Sequence, residues 1–230
     1  MPASNPFIIG RGSEVTVALL PKDSRAEIVP QTITLGAAAA AAASSLTVAA
    51  LASPLLASAT DPLFLSFIDA LDETDRFVKV TAPAADGATS LTVAALKKAL
   101  ATASTAQYPA RLQARTSASI STNANDVTST TFDTGAYEDG VVTQIGYGVS
   151  CPGNFLSLDA GFRTCFHAFN ELREVWLTIK LPVPEGYTNG YIFKGAAAVT
   201  NCPIEIPADN IITASIDFKY RGKLQIVEPA

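Results

Sequence analysis

Hydrophobic and polar residues alternate along much of the second half of the chain. The clearest case is residues 212–220, where Ile212, Ile216 and Phe218 stand two or four positions apart with polar residues between them. A period of two residues places successive side chains on opposite faces of a β-strand. Stretches of this kind predict strands at 12–20, 141–149, 175–181, 191–199, 212–220 and 223–227.

One segment has helical rather than strand periodicity. Between Asp159 and Glu174, apolar residues recur every three or four positions, which is typical of an amphipathic helix, and Asp159 is a suitable N-cap. We expect the packing face of this helix to consist of Phe162, Cys165, Phe166, Phe169 and Leu172. Strands with one docked helix predict a mainly β fold, a β-sandwich or barrel with one flanking amphipathic helix.

The first half of the chain contains an internal repeat. Residues 44–51 read SSLTVAAL and residues 89–96 read TSLTVAAL, so the two copies differ at a single position. A repeat of this kind is typical of a duplicated supersecondary unit. The first copy predicts strands at 33–35 and 45–49 around a loop. The second predicts strands at 77–81 and 90–94 around a loop, followed by a short helical turn at 94–101.

The loop of the first copy is a run of seven Ala, residues 37–43. Because Ala is the best helix former, a helix over 36–43 stays open as an alternative. The corresponding loop of the second copy contains Pro83, Asp86 and Gly87, which favour turns. A shared fold would make the Ala run a connection between strands. The chain would then divide into a β core (1–30 and 111–230) and a duplicated insertion module (31–110).

The composition of the chain argues against nucleic-acid binding and membrane insertion. The 230 residues are 48% hydrophobic, which is enough for an apolar core. The formal net charge is −5, which is unfavourable for binding the phosphates of nucleic acids. Residues 33–60 are almost wholly apolar or small, but Pro54 interrupts them without flanking basic clusters, so we expect no membrane insertion. The N-terminus shows no signal pattern and the three cysteines are widely spaced, which favours a reducing cytosol.

Candidate catalytic groups are few. His167 is the sole histidine, and the sequence offers it no neighbouring nucleophile or orienting acid, so packing is the stronger interpretation. The cysteines lack the spacing of a metal site, and the acidic cluster at 69–75 lacks the ligand spacing of a calcium loop. The sequence therefore predicts no enzyme, no cofactor and no metal site.

Several segments, taken in order, resemble the major tail proteins, or tail tube proteins, of bacteriophages. Residues 131–143 (TFDTGAYEDGVVT) resemble the region that opens the core of that family. The order continues with a helix that starts at 159–162, a strand that ends at 181–182, a strand at 190–199 and a final strand at 212–222. The repeat unit at 84–93 is similar to segments of phage structural proteins. The resemblance covers residues 116–230.

This resemblance implies a β-sandwich or barrel subunit that forms hexameric rings. The rings stack into a tail tube through which DNA leaves without specific binding. The implied partners are further copies of the chain and other tail proteins (terminator, baseplate or tip, and tape measure), in a virion tail assembled in the host cytoplasm. A secreted or cell-surface β-rich binding or adhesion module stays open as the alternative.

Two regions are candidates for subunit contacts and for the tube wall. The stretch 123–140 is longer and more polar than a compact monomer needs, and its aromatic residues provide anchors for a partner surface. We expect subunit contacts at Asn125, Phe132, Tyr137 and Asp139. Repulsion of DNA favours an acidic lumen, so Asp217 is a candidate wall residue, with Lys180 and Lys219 outside or paired.

Overall fold

The computed structural model describes residues 13–129, 139–208 and 210–230. These residues are mainly antiparallel strands with one α-helix, which confirms the predicted mainly β fold. In chain order the elements are β1 (Glu14–Leu19), β2 (Gln31–Thr34), β3 (Ser45–Thr47), β4 (Leu63–Ile68), β5 (Asp75–Val80), β6 (Ser90–Thr92), β7 (Thr105–Tyr108), β8 (Ala110–Arg111), β9 (Ser119–Ser129), β10 (Asp139–Asn154), α1 (Ala160–Asn170), β11 (Glu174–Lys180), β12 (Ile192–Asn201), β13 (Ile204–Glu205), β14 (Thr213–Tyr220) and β15 (Gln225–Val227).

The largest sheet of the described residues has nine strands. Their order is β8-β1-β11-β12-β14-β10-β9, with β13 beside β14 and β15 beside β12. Strands predicted from alternation, namely β1, β10, β11, β12, β14 and β15, all lie in this sheet. Alternation marks strands such as β14 because one set of their side chains is buried, as Ile216 and Phe218 are. In β15 all three residues are exposed.

Helix α1 covers one face of this sheet and begins at the predicted cap. The Asp159 carboxylate accepts hydrogen bonds from the Gly161 amide (2.9 Å) and the Gln113 amide (3.0 Å). A Cβ added to Gly161 would lie 2.6 Å from the Arg111 carbonyl oxygen, so the helix packs too closely for a side chain there. The buried helix residues are mostly small: Ala160, Gly161, Phe162, Thr164, Cys165 and Ala168.

The predicted packing face of α1 is therefore wrong for three of its five residues. Phe162 and Cys165 are buried, whereas Phe166 is 41% exposed, Phe169 is 38% exposed and Leu172 is 91% exposed. The helix ends at Asn170, so Leu172 lies beyond it, at a φ of 51°. The spacing of the large apolar residues identified a side of the helix that is partly exposed. The side in contact with the sheet is set by close backbone approach, which requires small residues.

Residues 31–110 add a four-stranded sheet, β2-β7-β4-β5, and a two-stranded ribbon, β3-β6. Both copies of the repeat have the predicted strand–loop–strand form, as β2 with β3 and β5 with β6. The alternative helix over 36–43 is wrong, and so is the helical turn at 94–101, because both segments are extended or bent. The Ala run is held by pairing with the second copy, for example Ala39 with Leu100. Such tertiary pairing outweighs intrinsic helix propensity.

The two copies pair with each other about a local two-fold axis. Leu46 lies opposite Leu91, its own counterpart in the repeat, at the centre of the β3–β6 ribbon. The isolated bridges obey the same symmetry: Leu35–Val48 corresponds to Val80–Val93, and Ala39–Leu100 corresponds to Leu55–Ala84. The copies therefore interlock like the two halves of an isologous dimer, within one chain.

The apolar core of this duplicated segment continues into the large sheet. It includes Ala18, Leu20, Trp176 and Ala196, while a second buried cluster lies beneath α1. Side chains on the two faces of β1 and β11 are therefore buried in different clusters: Ala18 and Trp176 in the first, and Val17 and Leu177 in the second. The division of the chain into a core and an inserted module stays a prediction, and the two parts share a packed interface.

Candidate assembly surfaces

A two-stranded arm projects from one edge of the large sheet. Strand β10 has 16 residues, but it pairs with β14 only from Gly148 to Asn154. Its first part, Asp139–Tyr147, pairs only with Thr122–Ser129 of β9 among the described strands. At about 3.4 Å per residue this arm extends roughly 25 Å beyond β14. The outer edge of β9 has no partner strand within the described chain, which leaves its backbone groups available for pairing.

The predicted contact residues fall on this arm or outside the described residues. Asn125 lies opposite Gln144, and Asp139 lies opposite Ser129. Phe132 and Tyr137 lie outside the described residues. The sequence predicted a long polar connection at 123–140, and its described residues, 123–129 and 139–140, belong to the hydrogen-bonded arm.

Asp217 lies on the polar face of β14, opposite the helix. Its carboxylate accepts hydrogen bonds from the Ser150 hydroxyl (2.6 Å) and the Asn201 amide (3.4 Å). Lys180 is paired with Glu14 (3.9 Å), as expected. Lys219, however, is exposed two positions after Asp217 on the same face and has no ion pair within the described chain. This face is therefore mixed in charge.

A concave surface beside the base of the arm is lined by basic side chains. Lys219, Arg221 and Lys223 line it together with Arg25, and its volume is about 1230 Å³. Arg25 is neutralised by Glu174, whose carboxylate accepts two guanidinium hydrogen bonds of 2.7 Å. We call this surface the basic concavity. Sequence reasoning missed it, although three basic residues within five positions of an acidic chain were a visible signal.

The three cysteine thiols are the groups best suited to covalent chemistry; Cys151 and Cys165 are buried and Cys202 is half-buried. Burial raises the pKa of Cys151 to about 12 and that of Cys202 to about 11, and it raises the pKa of Cys165 well above the ordinary value. All three thiols are therefore protonated at neutral pH and are poor nucleophiles.

His167 has a structural setting. Its ring lies edge-on to Phe64, with centroids 6.0 Å apart, and its Nε2 is 3.8 Å from an Asp61 carboxylate oxygen. Asp61 also pairs with Arg173, so these residues connect α1 and its C-terminal end to the residues before β4. The described residues contain no cluster of His, Cys, Asp and Glu able to hold a metal ion. They also contain no helix long and apolar enough to cross a membrane.

Comparison with solved structures finds similar chains in gene transfer agent particles and in an anti-feeding prophage baseplate. A chain in the tail of an empty gene transfer agent (GTA) particle has a TM-score of 0.42 and 16% identity, over 50% of this chain and 82% of that chain. A chain of the native GTA virion has a TM-score of 0.42 and 15% identity, over 50% and 85%. A chain of the anti-feeding prophage baseplate has a TM-score of 0.41 and 6% identity, over 51% and 83%.

No family model and no curated protein sequence matches the chain. The three structures above come from a tail, a virion and a baseplate. The likeness covers about half of the chain.

Proposed function

We propose that this protein is the structural subunit of a phage-type tail tube. The observation that carries the proposal is the arm, because it leaves one sheet edge free and extends well outside the packed body of the subunit. Free edges of this length are blunted or covered in proteins that stay monomeric. Pairing with further copies of the chain satisfies them here.

The shape of the large sheet supports a wall-forming role. One face is packed under α1, while the opposite face of β14 presents Ser215, Asp217 and Lys219 to solvent. Copies that join edge to edge place these polar faces side by side around a water-filled lumen. Hexameric rings built in this way stack into a conduit through which DNA passes without specific binding.

The remaining partners follow from this assembly. The two ends of a stacked tube offer different surfaces, because head-to-tail contacts leave one unpaired surface of each kind. Terminator, baseplate or tip proteins cap these ends, and a tape measure protein occupies the lumen before ejection. The protein acts in the virion tail after assembly in the host cytoplasm, without catalysis. The duplicated module faces outward or lies between rings.

Electron microscopy and sedimentation of the purified full-length chain test this proposal. We expect tubes or stacked rings of uniform diameter and hexameric symmetry. Persistent monomers at every concentration and salt condition would contradict the tail tube function.

A deletion of residues 125–138 tests the role of the arm. It leaves Ala124 paired with Ile145 and turns residues 139–144 into the connecting loop. We expect a folded monomer that no longer polymerises, with folding checked by circular dichroism. The substitution Leu71→Ser, at a position 87% exposed in the β4–β5 turn, is the control and should assemble normally. Tubes formed by the deletion variant would show that the arm has no part in assembly.

A further inference from the structure

The turns that follow β3 and β6 occupy equivalent places in the two copies of the repeat. The backbone hydrogen bonds that flank them correspond one to one: Ala49 to Thr34 and Ala94 to Lys79, and Leu51 to Ala88 and Leu96 to Ala43. Residues 52–53 of the first copy and 97–98 of the second therefore have the same position in the same turn. The two turns differ in what their main-chain amides meet.

In the first copy a side chain completes the turn. The carboxamide oxygen of Gln31 accepts hydrogen bonds from the Ala52 amide (3.0 Å) and the Ser53 amide (3.2 Å). The carboxamide nitrogen of this buried residue donates to the Ser53 carbonyl (2.9 Å). Two successive amides that converge on one oxygen atom form the kind of backbone concavity that binds anions. The turn is thus shaped to hold an oxygen acceptor.

The second copy has no such acceptor, because Arg76 stands at the position of Gln31. Arg76 lies opposite Phe67 of β4, as Gln31 lies opposite Tyr108 of β7. A guanidinium group has no acceptor atom and cannot replace the carboxamide oxygen. The Arg76 guanidinium donates to Asp72 instead, and its Nε is buried without a hydrogen-bond partner among the described residues.

The turn of the second copy offers two amides and several positive charges. The amides of Lys97 and Lys98 donate to no acceptor within the described chain, and both residues are exposed. Together with Lys79 these lysines form no ion pair with a described acidic residue. The segment hydrogen-bonded to this turn is the Ala run, 37–43, which has no acidic side chain, whereas the segment beside the first turn contains Asp86.

We propose that the turn at Lys97 and Lys98 binds a terminal phosphate group. One phosphate oxygen takes the position that the Gln31 carboxamide oxygen has in the first copy and accepts from both amides. The ammonium groups of Lys79, Lys97 and Lys98 meet the remaining oxygens, since lysine contacts phosphate as a mobile point charge. Inorganic phosphate and a small phosphate monoester share this chemistry. The site lies on the duplicated module, so it does not depend on the tail tube function.

Two substitutions of one residue test the inference in the full-length chain. Arg76→Gln and Arg76→Met remove the same charge and the same pair with Asp72, but only Gln supplies a carboxamide oxygen that can fill the turn as Gln31 does. Isothermal titration calorimetry with inorganic phosphate at low ionic strength measures the affinity. We expect Arg76→Gln to weaken binding roughly tenfold and Arg76→Met to stay within about threefold of the wild type. Equal affinities of the two variants, or no binding by the wild type, overturn the inference.

A second pair of variants tests the location of the site without altering a buried residue. Lys97→Ala with Lys98→Ala should weaken phosphate binding roughly tenfold, because both side chains are exposed and lie at the turn. Lys219→Ala with Lys223→Ala is the matched control, since it removes two exposed lysines of the basic concavity. The control should bind like the wild type. Loss of binding in the control, with binding retained in the other variant, overturns the inference.

Competition experiments identify the source of the phosphate. Glycerol 3-phosphate that displaces inorganic phosphate supports a site for monoesters, and failure to displace it supports a site for free phosphate. Acetate that binds as tightly as phosphate would overturn the assignment of phosphate. A short DNA duplex that binds more tightly than phosphate, and equally to the two Arg76 variants, would show general attraction of polyanions and would also overturn the inference. Each result holds whether or not the chain forms tubes.

Discussion

The two copies of the repeat adopt the same backbone conformation although their loop sequences differ. In the first copy the loop between strands is a run of Ala, whereas in the second it contains Pro83, Asp86 and Gly87. Both loops nevertheless make the same bonds to the opposite copy. The Ala42 amide donates to the Leu96 carbonyl, and the Gly87 amide donates to the Leu51 carbonyl. Reciprocal pairing between the copies, rather than local propensity, therefore determines the conformation of the loops.

Burial is equally symmetric. The buried apolar residues of the first copy have a buried counterpart in the second, except Ala57, whose counterpart Thr102 is exposed. The pairs are Ile33 and Val78, Leu35 and Val80, Ala39 and Ala84, Leu46 and Leu91, Val48 and Val93, Leu51 and Leu96, and Leu55 and Leu100. The positions outside the core differ, since residues 31–60 carry no charged side chain, whereas the corresponding residues 76–105 carry Arg76, Lys79, Asp86, Lys97 and Lys98. The buried half of each copy is constrained by the interlocked core, and the exposed half is free to vary.

The largest expected effect comes from truncating the residues on the two-fold axis. Leu46→Ala and Leu91→Ala should each lower the free energy of unfolding by about 3 kcal/mol, because both side chains are fully buried and leave a cavity. Denaturant unfolding of the full-length variants measures this, with the exposed Leu71→Ala as the control. The two losses should agree to within about 1 kcal/mol. A markedly smaller loss for one of them would show that the two leucines contribute unequally to the free energy of unfolding, although they are paired symmetrically.

A smaller effect on stability is expected at the position where both copies have a left-handed backbone conformation. Ala42 has a φ of 65° and Gly87 a φ of 73°. Gly87→Ala should destabilise the protein by about 1 kcal/mol through backbone strain alone, since an added Cβ meets no atom within 4 Å. Ala42→Gly relieves that strain but raises the entropy of the unfolded chain, so its net effect should be less than about 0.5 kcal/mol.

Denaturant midpoints of the two variants measure this difference. Equal destabilisation by both substitutions would contradict the assignment of the same backbone role to positions 42 and 87.

The smallest effect concerns the hydroxyl pair across the ribbon. The hydroxyls of Ser45 and Ser90 lie 3.1 Å apart at an exposed position. Ser45→Ala and Ser90→Ala should each change the free energy of unfolding by less than about 0.5 kcal/mol, and by the same amount, because each removes the same exposed hydrogen bond. Thermal unfolding of both variants measures the change. Unequal shifts of the melting temperature would mean that one hydroxyl has a further partner.

Much of the fold was predictable because it depends on local patterns. Alternation located β11, β12 and β14, the acidic cap located the start of α1, and the repeat indicated that two segments share one form. Strand β4 was missed, since Leu63, Leu65 and Phe67 alternate with Phe64 and Ile68, so its apolar residues occupy both faces. Such a strand has no amphipathic signal and is visible only once its partners β5 and β7 are known.

What the sequence by itself determined is which segments with alternating polarity are strands, where the helix begins and which segments are copies of each other. These properties follow from spacing and composition within a few residues of chain. The tertiary structure decided that small residues of α1 face the sheet and that the Ala run is not helical. It also decided that Lys219, Arg221 and Lys223 meet the base of the arm on one concave surface. Each of these depends on backbone approach between segments distant in sequence, and a local pattern carries no information about that distance.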